Sequence, residues 1–215
     1  MKRFFFLFIT LCLVSCFGQE KKKNIVTPNK MNTELEHFTI GGGCFWCVQP
    51  CFKLLKGVVS VTSGYSGGHT EHPTYKEVCT GDTGHAEVVD ITFNPKEISL
   101  EKLMEVFLFL HDPTQLNRQG NDIGTQYRSI VFYRNEEQKR IIEKSLKSSE
   151  DQQQWPGEYV TQVVKFEKFW PAEDYHQDYY KANPNQPYCS AVTGPKIHKF
   201  IKHFDKLGWL SSTEL

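Results

Sequence analysis

Apolar and polar positions follow two periods along this chain, and each change of period marks an element. Leu35–Ile40 alternates as a strand; three glycines follow, and Cys44–Lys56 then reads as a helix ended by Gly57. Val58–Ser63 (Val-Val-Ser-Val-Thr-Ser) is rich in β-branched residues and predicts a second strand, completing a β-α-β unit. Gly64–His85 carries five glycines among polar residues and predicts a long loop, of a length that usually serves function. In Glu87–Asn94, Val89, Ile91 and Phe93 alternate with Val88, Asp90 and Thr92, predicting a half-buried strand closed by Pro95. Ser99 can cap the next helix, where Leu100, Leu103, Met104, Phe107 and Leu108 recur at helical spacing up to Pro113.

Asp112–Gln126 is again irregular, and Arg128–Arg134 returns as a strand. Asn135 caps a helix with Ile141, Ile142 and Leu146 inward, and Val160–Phe169 reads as a last strand with Val160, Val164 and Phe166 on one face. Lys196–Leu207 predicts a basic amphipathic helix. This order predicts an α+β fold, a two-layer sandwich of split βαβ (ferredoxin-like) type with long functional loops. No internal repeat and no second domain is visible.

Composition changes this picture mainly at the N-terminus. The chain has 215 residues with 25 basic and 25 acidic side chains, a balance that excludes a nucleic-acid footprint. Lys2 and Arg3 precede an apolar run, Phe4–Val14, too short to span a membrane but shaped as a secretory signal. Leu13-Val14-Ser15-Cys16 resembles the lipobox of bacterial lipoproteins, which implies cleavage after residue 15 and acylation of Cys16. The expectation is a signal peptide over 1–15, a polar tether over 16–33 and a folded domain over 34–215. The protein would be a monomer held outside the cytoplasm by its lipid.

With Cys12 and Cys16 set aside, Cys44, Cys47, Cys51, Cys79 and Cys189 remain. An odd number in a domain of this size argues against a structural disulfide framework and for a reactive thiol with exchange partners. Cys51 and Cys79 read as buried small apolar side chains.

The chemistry concentrates in Gly41-Gly42-Gly43-Cys44-Phe45-Trp46-Cys47. A thiolate forms most readily at a helix N-terminus, where backbone N–H groups and the helix dipole favour negative charge. One reading is a thioredoxin-type Cys-x-x-Cys, although Phe-Trp between the cysteines would crowd a protein partner. Another is a metal site, for which Cys44, Cys47 and Cys51 lack a second Cys or His pair at ligand spacing. A third makes Phe45 and Trp46 the apolar wall of a substrate pocket beside a nucleophilic Cys44.

Further motifs lie downstream: Gly64-Tyr65-Ser66-Gly67-Gly68, Pro73-Thr74-Tyr75, Thr83-Gly84-His85-Ala86-Glu87-Val88, His111-Asp112-Pro113-Thr114 and Gly120-Asn121-Asp122-Ile123-Gly124-Thr125-Gln126-Tyr127-Arg128-Ser129. Together with Gly-Gly-Cys-Phe-Trp, and in this order, they resemble the A-type peptide methionine sulfoxide reductases over roughly residues 38–188. The resemblance implies reduction of methionine S-sulfoxide, free or in oxidised proteins, without metal, flavin or other cofactor.

It further implies that Cys44 is the nucleophile and becomes a sulfenic acid, with Glu87 as proton donor. Tyr75 and Tyr127 would hydrogen-bond the sulfoxide oxygen, Asp122 would order the site, and Phe45 and Trp46 would hold the S-methyl group. His85 and His111 are expected to make structural hydrogen bonds. A second thiol must then resolve the sulfenic acid, and a thioredoxin-like dithiol protein must reduce the resulting disulfide. The candidates are Cys47, at a position commonly Gly in the family, and Cys189. The latter matches the first C-terminal cysteine of many members, although their tail glycines and second cysteine are missing here.

Overall fold

The computed structural model describes residues 34–214 and Met1; the expected signal, Cys16 and the tether lie outside the described residues. The chain runs β1 (Glu36–Gly41), α1 (Phe45–Lys53), β2 (Val58–Ser66), α2 (Tyr75–Thr80), β3 (Ala86–Phe93) and α3 (Leu100–Leu110). It continues through β4 (Arg118–Gln119), β5 (Asp122–Ile123), β6 (Ile130–Tyr133), α4 (Glu136–Asp151), β7 (Gln162–Lys165), β8 (Phe169–Pro171), α5 (Tyr179–Ala182) and α6 (Gly194–Phe204). The fold is mixed α/β. Six strands form one sheet in the order β7-β6-β1-β3-β2-β8, and β4 and β5 make a separate small hairpin. Every pairing in the large sheet is antiparallel except β6 with β7.

Side-chain alternation decides which residues meet the helices. On β3, Val89, Ile91 and Phe93 join the main core with Phe38 and Ile40 of β1. Against them pack Val48, Cys51 and Phe52 of α1, Leu103, Met104 and Phe107 of α3, and Ile197, Phe200 and Phe204 of α6. The alternate β3 residues Ala86 and Val88 lie with Ile130 and Phe132 in a second cluster on the other face. Period two therefore puts Glu87 on the same face as Val89, under the helices, and it is fully buried.

Caps read from sequence hold: Ser99 accepts the Lys102 N–H and Asn135 accepts the Gln138 N–H. Several expectations need correction. The first helix stops at Lys53, short of Lys56. There Lys56 donates to the Trp209 carbonyl and Leu55 bridges to Leu210, so the C-terminal tail takes the backbone groups a longer helix would use.

The expected loop over 64–85 begins as strand and contains α2, which is opened by a Thr74–Glu77 capping box. The single strand expected over Val160–Phe169 is two short ones on opposite edges of the sheet. Phe166 donates to the Tyr133 carbonyl where β7 ends, and Val164 is exposed instead of facing inward. Cys79, expected inside, is exposed on α2.

Candidate active site

The glycine run brings Cys44 and Glu87 together. A side chain at Gly41 would meet the Glu87 carbonyl oxygen at 2.6 Å, so only glycine lets β1 pass this close to β3. Gly43 then takes φ +88° and donates to the Tyr127 carbonyl at 3.2 Å, turning the chain into α1. Cys44 occupies the N-cap position in extended conformation and caps with no side-chain bond. The unpaired N–H groups of the first turn serve the site instead. Phe45 N–H donates to Glu87 Oε2 at 3.1 Å, and Trp46 N–H faces the Cys44 sulfur. Glu87 Oε1 is buried without a hydrogen-bond partner among the described residues.

Burial moves both groups toward their neutral forms. Glu87 is pushed up to about 8, chiefly by loss of solvent, with the Asp122 and Cys47 charges adding to it against the Phe45 hydrogen bond. Its carboxyl is therefore protonated at neutral pH. Cys44 is raised by burial, by its contact with Cys47 and by Glu87. Cys47 moves the other way, down to about 6, because the Cys44 S–H donates to it and Lys196 adds positive charge. Thr193 Oγ1 lies 3.3 Å from its sulfur and Tyr188 OH 3.8 Å away. The opposite directions of the two shifts favour the negative charge on Cys47 over Cys44.

Tyrosines and aromatic rings enclose this pair. Tyr75 stacks on Phe45 at 6.5 Å, and burial together with the Glu87 charge raises both Tyr75 and Tyr127. Both phenols therefore stay donors. Asp122, carried on the small hairpin, accepts from Tyr188 OH at 2.6 Å and so tethers the C-terminal segment to the site. The Trp46 indole lies flat on Tyr179, with centroids 3.7 Å apart, and meets Tyr188 edge-on. Cys44, Phe45, Trp46, Cys47, Tyr75, Glu87, Asp122 and Tyr127 thus converge. Cys189 is one step removed, fully buried in a wide turn over Cys189–Thr193 and sharing Thr193 with Cys47.

His85 and His111 are structural, as expected. His85 accepts from Gly68 N–H and donates to the Thr70 carbonyl; His111 donates to the Phe107 carbonyl and accepts from Ser129. Sequence reading missed Glu173, His176, Tyr188, Thr193 and Lys196. Their signal was faint: a Glu and a His three apart in Pro171-Ala172-Glu173-Asp174-Tyr175-His176, and a tyrosine next to Cys189. Among the described residues no group of three His, Cys, Asp or Glu side chains is arranged to hold a metal ion.

The family model described as peptide methionine sulfoxide reductase matches residues 36–207. The chain belongs to that family. It is 55% identical over 170 residues to peptide methionine sulfoxide reductase MsrA of Sulfolobus acidocaldarius, covering 79% of this chain and 96% of that one. MsrA of Acinetobacter baumannii is 50% identical over 173 residues, covering 80% and 98%. Among solved structures, reduced Mxr1 of Saccharomyces cerevisiae superposes with TM-score 0.69 at 34% identity, over 74% of this chain and 91% of that one. Methionine sulfoxide reductase A of Corynebacterium diphtheriae gives 0.64 at 34% identity, over 71% and 76%. The reductase is a peptide-methionine (S)-S-oxide reductase, and its reaction is the thiol-dependent reduction of methionine S-sulfoxide to methionine.

Proposed function

We propose that Cys44 attacks the sulfoxide sulfur while Glu87 gives its proton to the sulfoxide oxygen. As substrate enters, the Cys44 proton passes to Cys47 and leaves Cys44 as thiolate. Cys44 thiolate, sulfoxide and Glu87 carboxylic acid become Cys44 sulfenic acid, thioether and Glu87 carboxylate. The oxygen and the proton end on Cys44, and two electrons pass to the substrate sulfur. Tyr75 and Tyr127 donate to the departing oxygen, Phe45 and Trp46 hold the methyl group, and Asp122 fixes Tyr188 beside Cys47. The observation that carries this reading is Glu87: buried, protonated at neutral pH, held at Oε2 by Phe45 N–H, and open at Oε1.

Cys47 then attacks the sulfenic acid, forming a Cys44–Cys47 disulfide and water. Its contact with the Cys44 thiol favours it over Cys189, which lies behind Thr193. Bridging residues three apart at a helix start requires the first turn to loosen. A thioredoxin-like dithiol protein reduces the disulfide by exchange.

The central strands β6-β1-β3-β2, with crossovers through α1 and α3, support a split βαβ (ferredoxin-like) reading of the sandwich. The sequence Leu13-Val14-Ser15-Cys16 supports a signal over 1–15, an acylated Cys16, a tether over 16–33 and a monomeric reductase domain over 34–215, acting on oxidised proteins at the cell envelope. Anchoring would come from acylation of Cys16; among the described residues no helix is long and apolar enough to cross a membrane.

The test is epimer-resolved. With dithiothreitol as reductant, the purified protein should convert the S-sulfoxide of methionine to methionine and leave the R-sulfoxide. Equal turnover of both epimers, or none of the S form, would refute it.

A further inference from the structure

Charge cancels over the whole chain but not over α6 and the turn behind it. Residues 194–209 carry four lysines against one acid, Asp205. Ile197, Phe200 and Phe204 face the core, so at 3.6 residues per turn Lys199, Lys202 and Lys206 share the opposite, exposed face. Lys196 stands about a quarter-turn away, on the side where its charge reaches Cys47.

Neighbouring acids leave this face positive. Glu101 and Glu105 of α3 line the groove toward α4, together with Lys144. Among the described residues Lys102, Lys199, Lys202 and Lys206 form no ion pair. Two of them lie over rings instead: Lys199 Nζ is 5.1 Å from the Phe109 centroid and Lys102 Nζ 4.8 Å from that of Trp209. His203 stacks on Phe109 at 4.6 Å. Phe109 and Trp209 are only partly buried, and Leu207 is 49% exposed. The face thus sets cationic heads over apolar and aromatic side chains, a composition suited to a membrane–water interface.

We propose that this face of α6 docks on the anionic lipid surface beside the anchor. The proposal rests on the reading that Cys16 is acylated. A tether over 16–33 reaches about 60 Å when extended, so on its own it leaves the domain free to turn. The same tether keeps the lysines at high effective concentration over the headgroups, where a weak attraction is enough. Each lysine near such a surface favours contact about fivefold. Docking therefore sets orientation, while attachment comes from the acyl chains. Because the side of α6 that meets the active site is a quarter-turn from the lysines, the docked enzyme keeps that site uncovered, close to the membrane.

The full chain, purified from membranes with its lipid, is added to preformed vesicles of phosphatidylcholine alone or with about one-third phosphatidylglycerol. Lysine labelling by an amine-reactive ester is then read peptide by peptide. Lys199, Lys202 and Lys206 should label about fivefold or more slowly on the anionic vesicles, and about 0.5 M NaCl should abolish the difference. Exposed Lys144 on α4, across α3, should label alike on both. Lys202→Glu/Lys206→Glu should free Lys199 on anionic vesicles, with reduction of free methionine S-sulfoxide within about twofold of wild type.

Equal labelling of the three lysines on both vesicles, protection that survives salt or the double substitution, or equal protection of Lys144 overturns the proposal alone. So does protection by soluble polyglutamate without protection by vesicles, which gives the face to an acidic protein. The intact mass of the purified chain decides the anchor separately: no acyl group on Cys16 overturns the anchor reading and the proposal with it.

Discussion

Cys44 and Cys47 lie one helical turn apart on α1, yet their surroundings push them in opposite directions. Cys44 faces Glu87 and apolar walls, and its thiol is raised. Cys47 faces the Cys44 S–H, Lys196 and Thr193, and is lowered to about 6. A symmetric Cys-x-x-Cys thus becomes an asymmetric pair, one sulfur exposed to substrate chemistry and the other holding the charge. Spacing makes the two sulfurs neighbours. Residues 40 to 150 positions away assign their roles.

The comparison breaks most completely at Cys44. Cys44→Ser should abolish sulfoxide reduction even with excess dithiothreitol, because it removes the sulfur that attacks the sulfoxide. Methionine produced by that variant would remove the asymmetry altogether. Next in size is Glu87→Gln, which should slow single-turnover methionine formation by roughly 100-fold or more, since the proton donor is lost. In wild type the same rate should fall as pH rises through about 8, where Glu87 loses its proton, and the glutamine variant should lack that limb.

Stability gives an independent check on the same carboxyl. The folded pKa of Glu87 is raised from 4.5 to about 8, so the folded state binds the extra proton between those values. Its contribution is fully present below about 4.5 and is lost as pH climbs through 8. Glu87→Gln should therefore flatten the decline in urea resistance between pH 5 and 8.5. An unchanged slope would mean that the carboxyl is already ionised in the folded protein.

On the other side of the comparison, Cys47→Ser should leave a measurable first turnover but cut thioredoxin-supported recycling by about tenfold or more. Wild type should lose two thiols per equivalent of substrate, and Cys189→Ser should do the same. Consumption of that second thiol in Cys47→Ser, but not in Cys189→Ser, would reverse the order of the resolving thiols. The smallest effect belongs to Lys196→Met: thiolate absorbance should show the Cys47 titration moving up from about 6, with the first turnover changed by less than about threefold.

Much of this was legible in the sequence, for physical reasons. Alternation on β3 puts Glu87 on the core face with Val89, and the three glycines before Cys44 mark the break between β1 and α1. Asn135 and Ser99 marked helix starts because a cap is a local interaction. Other features depended on distant partners. Whether Cys47 is a thiolate depends on Thr193 and Lys196, whose position near it is set by how α6 packs on α1. His176 reads as an ordinary residue after a strand until Trp46 arrives from 130 positions away. The apparent strand over 160–169 failed because short edge strands carry little periodic signal, and pairing at opposite sheet edges split it in two.

One measurement bears most directly on the asymmetry of the thiol pair. In the Cys47→Ser/Cys189→Ser chain, one equivalent of methionine S-sulfoxide is added without reductant, followed by a sulfenic-acid trap and peptide mass spectrometry. The account requires one equivalent of methionine and a trapped sulfenic acid on Cys44 alone. Methionine formed with the trap on Cys51 or Cys79, or with no trapped cysteine, would contradict it.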